Sequence, residues 1–412
     1  MKEQKKRLLV VAQHYWPENF RSTDLCKGFV EAGYEVDVLC GLPNYPQGEW
    51  FDGYNYFGPR RERHEGAEVF RAGEIRRKGN TSLRIFLNFI SFPVAALFSL
   101  PRLHGRKYDA VLSYETAPVF MLLPAIVYAK LHRVPLTCYV LDLWPDNLYS
   151  AFPVNSGFLR GCLKAVSHWH YRRCDRLIGM SDALCDTLRA IAPRAEVAMI
   201  PQYCEDFYAD QSHDAALDAR FAGRFNVLFA GNISPVQGLE LLVGCAERLK
   251  QEARRDIHFV LVGDGMSRAD IERQVDEAGV RDWFTFEGQH PATDIPRYQA
   301  MADALYCSLA KSANLGLTVP AKLTSYLAAG RPCLVAVDGE AARVVDEAGC
   351  GLTCGAGDTE ALYANLCRLA AMKAEERQAM GERARRCYED NFRRGKLLRR
   401  LEKFVMEGGA AE

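Results

Sequence analysis

The sequence predicts an α/β protein built from two doubly wound domains facing a cleft, and three observations predict it. Short apolar runs alternate with helical stretches along most of the chain, as when parallel strands are joined by right-handed helical crossovers. The alternation starts twice, near residue 7 and again near residue 225, with a polar, weakly patterned stretch between. The chain has 412 residues, more than one ordinary core organises. The expected division is a first domain over 1–205, a linker over 206–223, a second domain over 224–385 and a C-terminal helix over 386–412.

In the first series, strands are expected at 7–13, 35–41, 110–113, 136–141, 176–180 and 198–200. A helix is expected over 22–32, and Ser181 is a good N-cap for the helix that follows it. The second series gives strands at 226–230, 258–262, 283–287, 304–307, 332–337 and 351–353. The charged segment 373–405 reads as helical. In sheets of this kind, ligands bind beyond the carboxyl ends of the strands, so functional residues are sought there.

Hydrophobic residues make up 49% and charged residues 25%, which excludes a disordered chain. Lysine plus arginine equals aspartate plus glutamate, so nucleic acid is not an expected partner. The 14 cysteines form no C-x-x-C pair, and several (Cys40, Cys138, Cys307, Cys333) sit in apolar runs where a thiol packs as a small core residue. Residues 1–7 lead directly into a strand, with no signal-peptide core. A reduced, cytoplasmic setting is therefore expected. Cys350 and Cys354 have no ligand neighbours at zinc spacing, so no metal site is read.

One segment departs from a plain α/β pattern. Residues 83–100 are apolar almost all round, with Arg71, Arg76, Arg77, Lys78 and Arg84 before them and Arg102, Arg106 and Lys107 after. Asn88 and Pro93 interrupt the run, which falls short of a comfortable span of ~20 apolar residues. Two readings stay open: a helix lying in a membrane interface, gripped by its basic flanks, and a buried core helix.

The strongest chemical signal is in the second series. Phe225-Asn-Val-Leu-Phe-Ala-Gly-Asn-Ile-Ser-Pro-Val-Gln-Gly-Leu-Glu-Leu-Leu242 is a strand, a polar loop and the start of a helix, whose free N–H groups and dipole suit an anion. Such a unit alone is common in α/β proteins that bind nothing. About 90 residues later, Val319-Pro-Ala-Lys-Leu-Thr-Ser-Tyr-Leu-Ala-Ala-Gly-Arg-Pro332 carries Lys322 on a helix of small and apolar residues. Together they suggest a phosphate-handling pocket in which Lys322 offsets charge on a leaving diphosphate without a metal. The plain alternative for Lys322 is a surface lysine.

In the first series, Asp142 ends an apolar strand before Trp144 and Pro145, where a carboxylate can accept a proton from an acceptor hydroxyl. Asp146 competes for that role, and either could simply cap a turn. His14 and Glu18 lie on the loop after the first strand. His168 and His170 cannot share a helix face, so they are no ligand pair. The basic run 383–400 reads as a solvated helix face.

These residues resemble a nucleotide-sugar glycosyltransferase of family 4 with the GT-B architecture of two Rossmann-like domains, closest to the bacterial enzymes of O-antigen, capsule and colanic-acid synthesis. The resemblance rests on Tyr15-Trp-Pro-Glu18, Asp142-Leu-Trp-Pro-Asp146, Gly231-Asn-Ile-Ser-Pro-Val-Gln-Gly238, Val262-Gly-Asp-Gly265, Pro320–Pro332 and Asp338-Gly-Glu-Ala-Ala342. It implies a retaining transfer from a nucleotide sugar, UDP-linked in the first instance, to a polyprenyl-diphosphate-linked or other saccharide acceptor at the inner face of the cytoplasmic membrane. Hexosyl or N-acetylhexosaminyl groups are the sugars implied. Donor contacts are implied at Gly231, Asn232, Ile233, Gln237, Gly238, Gly263, Ser325, Glu340, Ala341 and Ala342, and an acceptor side at His14, Glu18, Trp144 and Asp146. Two departures stand out. Asn232 and Gln237 replace the arginine and lysine that hold the diphosphate in the wider family. The paired glutamates of its Glu-x7-Glu motif are missing, with Ser325 in place of the second. A sugar-nucleotide epimerase of similar architecture and a catalytically inactive scaffold remain the rival readings.

Overall fold

The computed structural model describes residues 5–116, 118–145, 156–312 and 315–409. The chain forms two compact units, one of Met1–Ile200 with Leu398–Glu412 and one of Pro201–Leu397.

The first unit is built on an eight-stranded sheet: β1 (Arg7–Val11), β2 (Glu35–Cys40), β3 (Arg61–His64), β4 (Ala67–Arg71), β5 (Ala110–Glu115), β6 (Leu136–Val140), β7 (Arg176–Gly179) and β8 (Glu196–Met199). Their order is β3-β4-β2-β1-β5-β6-β7-β8. Every pairing is parallel except β3–β4. β1 is covered on both faces, so Leu8 to Val11 read as an unbroken apolar run rather than an alternation. The sequence pattern gave no warning of β3 and β4. β3 is an edge strand of Arg-Glu-Arg-His, with no apolar face to betray it.

The second unit carries a wholly parallel sheet: β9 (Phe225–Ala230), β10 (Ile257–Val262), β11 (Phe284–Gly288), β12 (Ala304–Ser308), β13 (Cys333–Ala336) and β14 (Gly351–Cys354), in the order β11-β10-β9-β12-β13-β14. Alternate residues of β9 feed opposite cores. Val227 and Phe229 join Phe259, Trp283 and Leu366, whereas Leu228 and Ala230 join Val260, Tyr326 and Tyr388. The strand order reverses between β9 and β12 here, and between β1 and β5 in the first unit. At such a point neighbouring loops leave in opposite directions and open a crevice at the carboxyl edge.

The expected linker is corrected by the structure. Residues 206–223 hold a short 3-10 turn and the helix Ala215–Phe221, capped by Asp214, whose Oδ1 accepts from Ala216 N at 2.9 Å and Leu217 N at 3.2 Å. Phe221 is buried in the core of the second unit beside Leu228 and Tyr298. Its polar composition misleads because this seven-residue helix buries a single residue.

The expected C-terminal helix is also corrected. It is two helices, Ala374–Asn391 and Arg394–Met406, broken at buried Phe392. The first belongs to the second unit, and most of the other belongs to the first. There, Tyr34 donates its hydroxyl to Glu402 at 2.9 Å and Arg176 donates to Val405 O at 2.8 Å.

Residues 83–99 lie within the helix Ser82–Ser99, started by Thr81, whose Oγ1 accepts from Arg84 N, and Leu100 begins the 3-10 turn that continues it to Leu103. Asn88, Phe92 and Ala96 are buried against the fold, whereas Leu83, Phe86, Val94 and Phe98 are exposed. The exposed four fall at spacings of 3, 8 and 4 residues, so they share one helix face. Three of the basic residues expected to flank this segment as membrane contacts point inward instead. Arg71 is fully buried and paired with Glu62, Arg77 is buried, and Arg106 pairs with Asp37 and Glu68.

Candidate active site

In the second unit the site forms where β9 and β12 part. The loop Gly231–Gly238 leaves β9 and is tied to its neighbours by backbone. Ile233 N donates to Asp264 O at 2.9 Å, and Ala310 N, just past β12, donates to Val236 O at 2.9 Å. Gly263 has φ 143° and stands so close to Gly231 that any Cβ would overlap the Gly231 carbonyl. Glycine is therefore required there to bring the β9 and β10 loops together.

Lys322 projects from the first turn of the helix Ala321–Ala329 into this loop. Its Nζ donates to Gln237 Oε1 and lies 4.1 Å from the centre of the Phe229 ring. A Cβ built on Gly231 would sit 3.7 Å from Lys322 Cε and Nζ, which places the ammonium against the start of the loop. Burial pushes its pKa down to about 8 from 10.5, with Cys307 nearby acting the other way. The ammonium is thus held short of solvation against Gly231, the environment in which an incoming diphosphate gains most from a cation.

The other donor-side residues take different places. Gln237 is a positioning residue: its amide oxygen receives Lys322 and its carbonyl accepts from Ser308. Gly238 takes a left-handed φ of 58° and ends the loop. Ile233 contributes its side chain to the core, 1% exposed. Ser325, one turn beyond Lys322, is buried and gives its hydroxyl to Lys322 O at 2.7 Å. Glu340 opens the helix Glu340–Ala348 and accepts from Arg343 at 2.7 Å, with Ala341 buried and Ala342 half-buried behind it. Gly339 meets the 315–317 turn so closely that a Cβ there would overlap Gly316 O.

In the first unit, a buried polar network fills the carboxyl edge around β1. His14 Nδ1 is 2.8 Å from Glu18 Oε2, and the other oxygen of Glu18 accepts from Asn44 N (2.7 Å) and Tyr45 N (2.6 Å). Arg77 Nη2 lies 3.3 Å from His14 Nε2. Arginine can only donate, so Nε2 is the acceptor and the ring proton sits on Nδ1, toward Glu18. Arg77 Nε donates to Asn88 Oδ1 at 2.9 Å, and Asn88 Nδ2 donates to Glu74 at 3.2 Å. Burial, with Glu18 close by, pushes the Glu74 carboxyl up to about 8. Gln13, Asn44, Glu74, Arg77 and Asn88 carried no readable signal as a site, because they come from three loops and a helix that meet only in the fold.

Asp142 is half-buried just beyond β6. Its neighbour is a residue the sequence reading missed. Glu115 ends β5, is fully buried, and is raised to about 8 by burial with the charge of Asp142 adding to the shift. Tyr171 donates its hydroxyl to Glu115 at 3.0 Å. A glutamate closing an apolar strand (Ala-Val-Leu-Ser-Tyr-Glu) was the available clue. Trp144 is 4% exposed, edge-on to Phe120 at 5.1 Å, and its carbonyl accepts from Ser167. It braces the Asp142 loop from within. Asp146 lies outside the described residues. Among the described residues there is no group of three or more His, Cys, Asp or Glu side chains able to hold a metal ion.

This arrangement defines a class of protein, and comparison with known proteins names the same class. Residues 19–202 match the family described as Glycosyl transferase 4-like domain, and residues 218–387 match Glycosyl transferases group 1. The chain belongs to the family 4 glycosyltransferases, with the GT-B fold of two Rossmann-like domains. Among its relatives, WcaI of Escherichia coli (strain K12), provisionally described as a colanic acid biosynthesis glycosyl transferase, is 25% identical over 348 residues, 81% of this chain and 83% of that one. The 2-deoxystreptamine glucosyltransferase of Streptomyces kanamyceticus is 27% identical over 223 residues, 51% of this chain and 56% of that one. Sucrose-phosphate synthase from Thermosynechococcus elongatus shares the fold at a TM-score of 0.75 and 15% identity, covering 97% of this chain and 98% of that one. HepE from Anabaena, solved in complex with UDP, does so at 0.68 and 15%, covering 97% and 99%.

Proposed function

We infer that this glycosyltransferase moves a hexosyl or N-acetylhexosaminyl group from a UDP-sugar, with retention of configuration, to a lipid-linked saccharide in surface polysaccharide synthesis. The observation that carries the reading is Lys322, under-solvated at the β9–β12 parting and aimed by Gln237. Support for the substrate classes comes from the relatives: WcaI is described for colanic acid biosynthesis, and HepE was solved with UDP. The Gly231–Gly238 loop and Lys322 would hold the diphosphate, and no divalent ion would be needed. Asp142, sharpened by Glu115 behind it, would take the acceptor side together with His14 and Glu18.

The helix Ser82–Ser99 would dock the protein on the anionic inner face of the cytoplasmic membrane. With the turn that continues it to Leu103 it is long and apolar enough to cross a bilayer, yet its inner face is committed to the fold through Asn88, bonded to Gln13, Arg77 and Ile75 O. Lying in the interface is the arrangement that keeps those bonds and covers Leu83, Phe86, Val94 and Phe98.

A panel of UDP- and GDP-sugars tests the reading, with and without EDTA. UDP-sugars should raise the melting temperature and release UDP only when acceptor is added, in chelator as well. Interconversion of the sugar without acceptor would point to an epimerase, and neither shift nor turnover to a scaffold. Loss of activity in EDTA that Mg²⁺ restores would overturn the metal-free pocket.

A further inference from the structure

We propose that the helix Gly157–Tyr171 is a second docking element that inserts in the same anionic lipid surface as the helix Ser82–Ser99. The proposal rests on the reading that the protein works at a membrane.

The helix is turned inside out. Phe158, Cys162, Ala165 and Trp169 follow one another at spacings of 4, 3 and 4, which makes a single stripe, flanked by Leu159 and Val166. That stripe faces solvent: Phe158 is 83% exposed, Leu159 46% and Trp169 42%. The buried side carries Ser167, His170 and Tyr171 instead. Ser167 and Tyr171 bond the backbone of Trp144, so the helix is anchored to the Asp142 loop by its last turns while its first turns stand free of the core. A 15-residue helix whose apolar stripe is left largely uncovered by the described residues gains little from packing, and helices of this length are marginal by themselves.

Charge selects the occupant. Arg160, Lys164, Arg172 and Arg173 are exposed on or just after the helix, and no aspartate or glutamate occurs between residues 156 and 173. Residues 82–107 likewise contain none. An apolar stripe edged by cations alone, with a tryptophan among them, fits phospholipid headgroups of negative charge and the acyl boundary beneath them. Both helices are tied to the same part of the first unit, since both pack on the turn Val119–Leu122.

Cys162 supplies the probe. It is the exposed cysteine of the chain, the others being buried or half-buried. An environment-sensitive dye on Cys162, with Cys162→Ser as the unlabelled control, is read on phosphatidylglycerol-rich vesicles carrying a nitroxide phospholipid. The dye should shift to the blue and be quenched, and Arg160→Gln with Lys164→Gln should weaken partitioning roughly 30-fold, the effect of losing two cations at the surface. Protein that pellets while its dye stays in water would overturn this inference and leave docking through residues 82–99 standing. A quenched dye with undiminished binding of Leu83→Ser/Phe86→Ser/Phe98→Ser would leave this inference standing and overturn the other. No pelleting at all would overturn both. A dye shielded without vesicles, in protein that sediments as a dimer, would assign the face to a second copy of the chain.

Discussion

Replacing Lys322 with methionine tests the core of the donor site, because methionine keeps the stem that packs on Phe229 and removes only the charge. The magnitude follows from the environment of the ammonium. Lowering its pKa from 10.5 to about 8 corresponds to roughly 3 kcal/mol of lost solvation for the charged form. A diphosphate that develops negative charge beside it can return that energy in the transition state, which is worth ~10²-fold in rate. Lys322→Met should therefore lower kcat by ~10²-fold or more while leaving the melting temperature unchanged or raised, since an under-solvated charge has been removed from the fold. Nucleotide release under saturating donor and acceptor, beside a thermal melt, reads both quantities. A folded variant with near-normal turnover would refute the reasoning and leave the loop amides and helix dipoles as the sole stabilisers.

The same lysine should make donor binding depend on pH. Donor charge favours the protonated form, so donor affinity should fall up to about tenfold per pH unit above about 8, and calorimetry in two buffers should show proton uptake; affinity constant from pH 7 to 9.5 would contradict this. For the free protein the sign is the reverse: the unfolded chain holds the proton between about 8 and 10.5, so this group adds stability as pH rises through that window. Asp142→Asn should keep nucleotide affinity and lose transfer; if transfer persists there and disappears in Asp146→Asn, the carboxylate has been misassigned. Glu74 has its carboxyl raised to about 8, so its contribution to stability is full below pH 4.5 and is lost as pH rises through 8. Glu74→Gln should then gain melting temperature over wild type at pH 9 and not at pH 5; an equal difference at both would show that Glu74 stays ionised. On the docking helix, Leu83→Ser, Phe86→Ser and Phe98→Ser together should free the protein from anionic vesicles without unfolding it, whereas Phe92→Ser, at a fully buried position, should destabilise the fold; release by neither set would place the membrane contact elsewhere.

What the sequence made legible divides along physical lines. Buried parallel strands write themselves as apolar runs, so β1, β5, β6 and the six strands of the second sheet were placed to within a residue or two. The β3–β4 pair was not, because a polar edge strand has no pattern to read. Lys322 and the Gly231–Gly238 loop were legible because strand, loop and helix are contiguous, and glycine and lysine types carry the chemistry. The network of Gln13, His14, Glu18, Asn44, Glu74, Arg77 and Asn88 was half-visible at best. It is assembled from three loops and a helix, and Arg77 looked like a flanking cation until the fold turned it inward. The same fold shows which phenylalanines matter: Phe92 packs and Phe86 and Phe98 do not, a distinction that helical phase alone leaves open until one face is known to be buried.

The departures from the wider family pattern at Asn232 and Gln237 have a physical counterpart in Lys322. A cation at position 237 would stand in contact with the ammonium that now donates to the Gln237 amide oxygen, and two like charges in an under-solvated pocket repel strongly. A neutral acceptor at 237 is the side chain that lets a lysine on the helix Ala321–Ala329 occupy the loop. The pocket at the β9–β12 parting therefore still holds a positive charge. It stands on a helix end rather than on the β9 loop, and the Gln237 amide holds it in place. The helix seats that cation on the Phe229 ring, on an element whose Tyr326 hydroxyl bonds Ala230 N at 2.9 Å. A charge carried on a packed helix needs less reordering when the diphosphate arrives than one carried on an exposed loop side chain such as position 232, and a stabiliser already in position is what lowers a barrier.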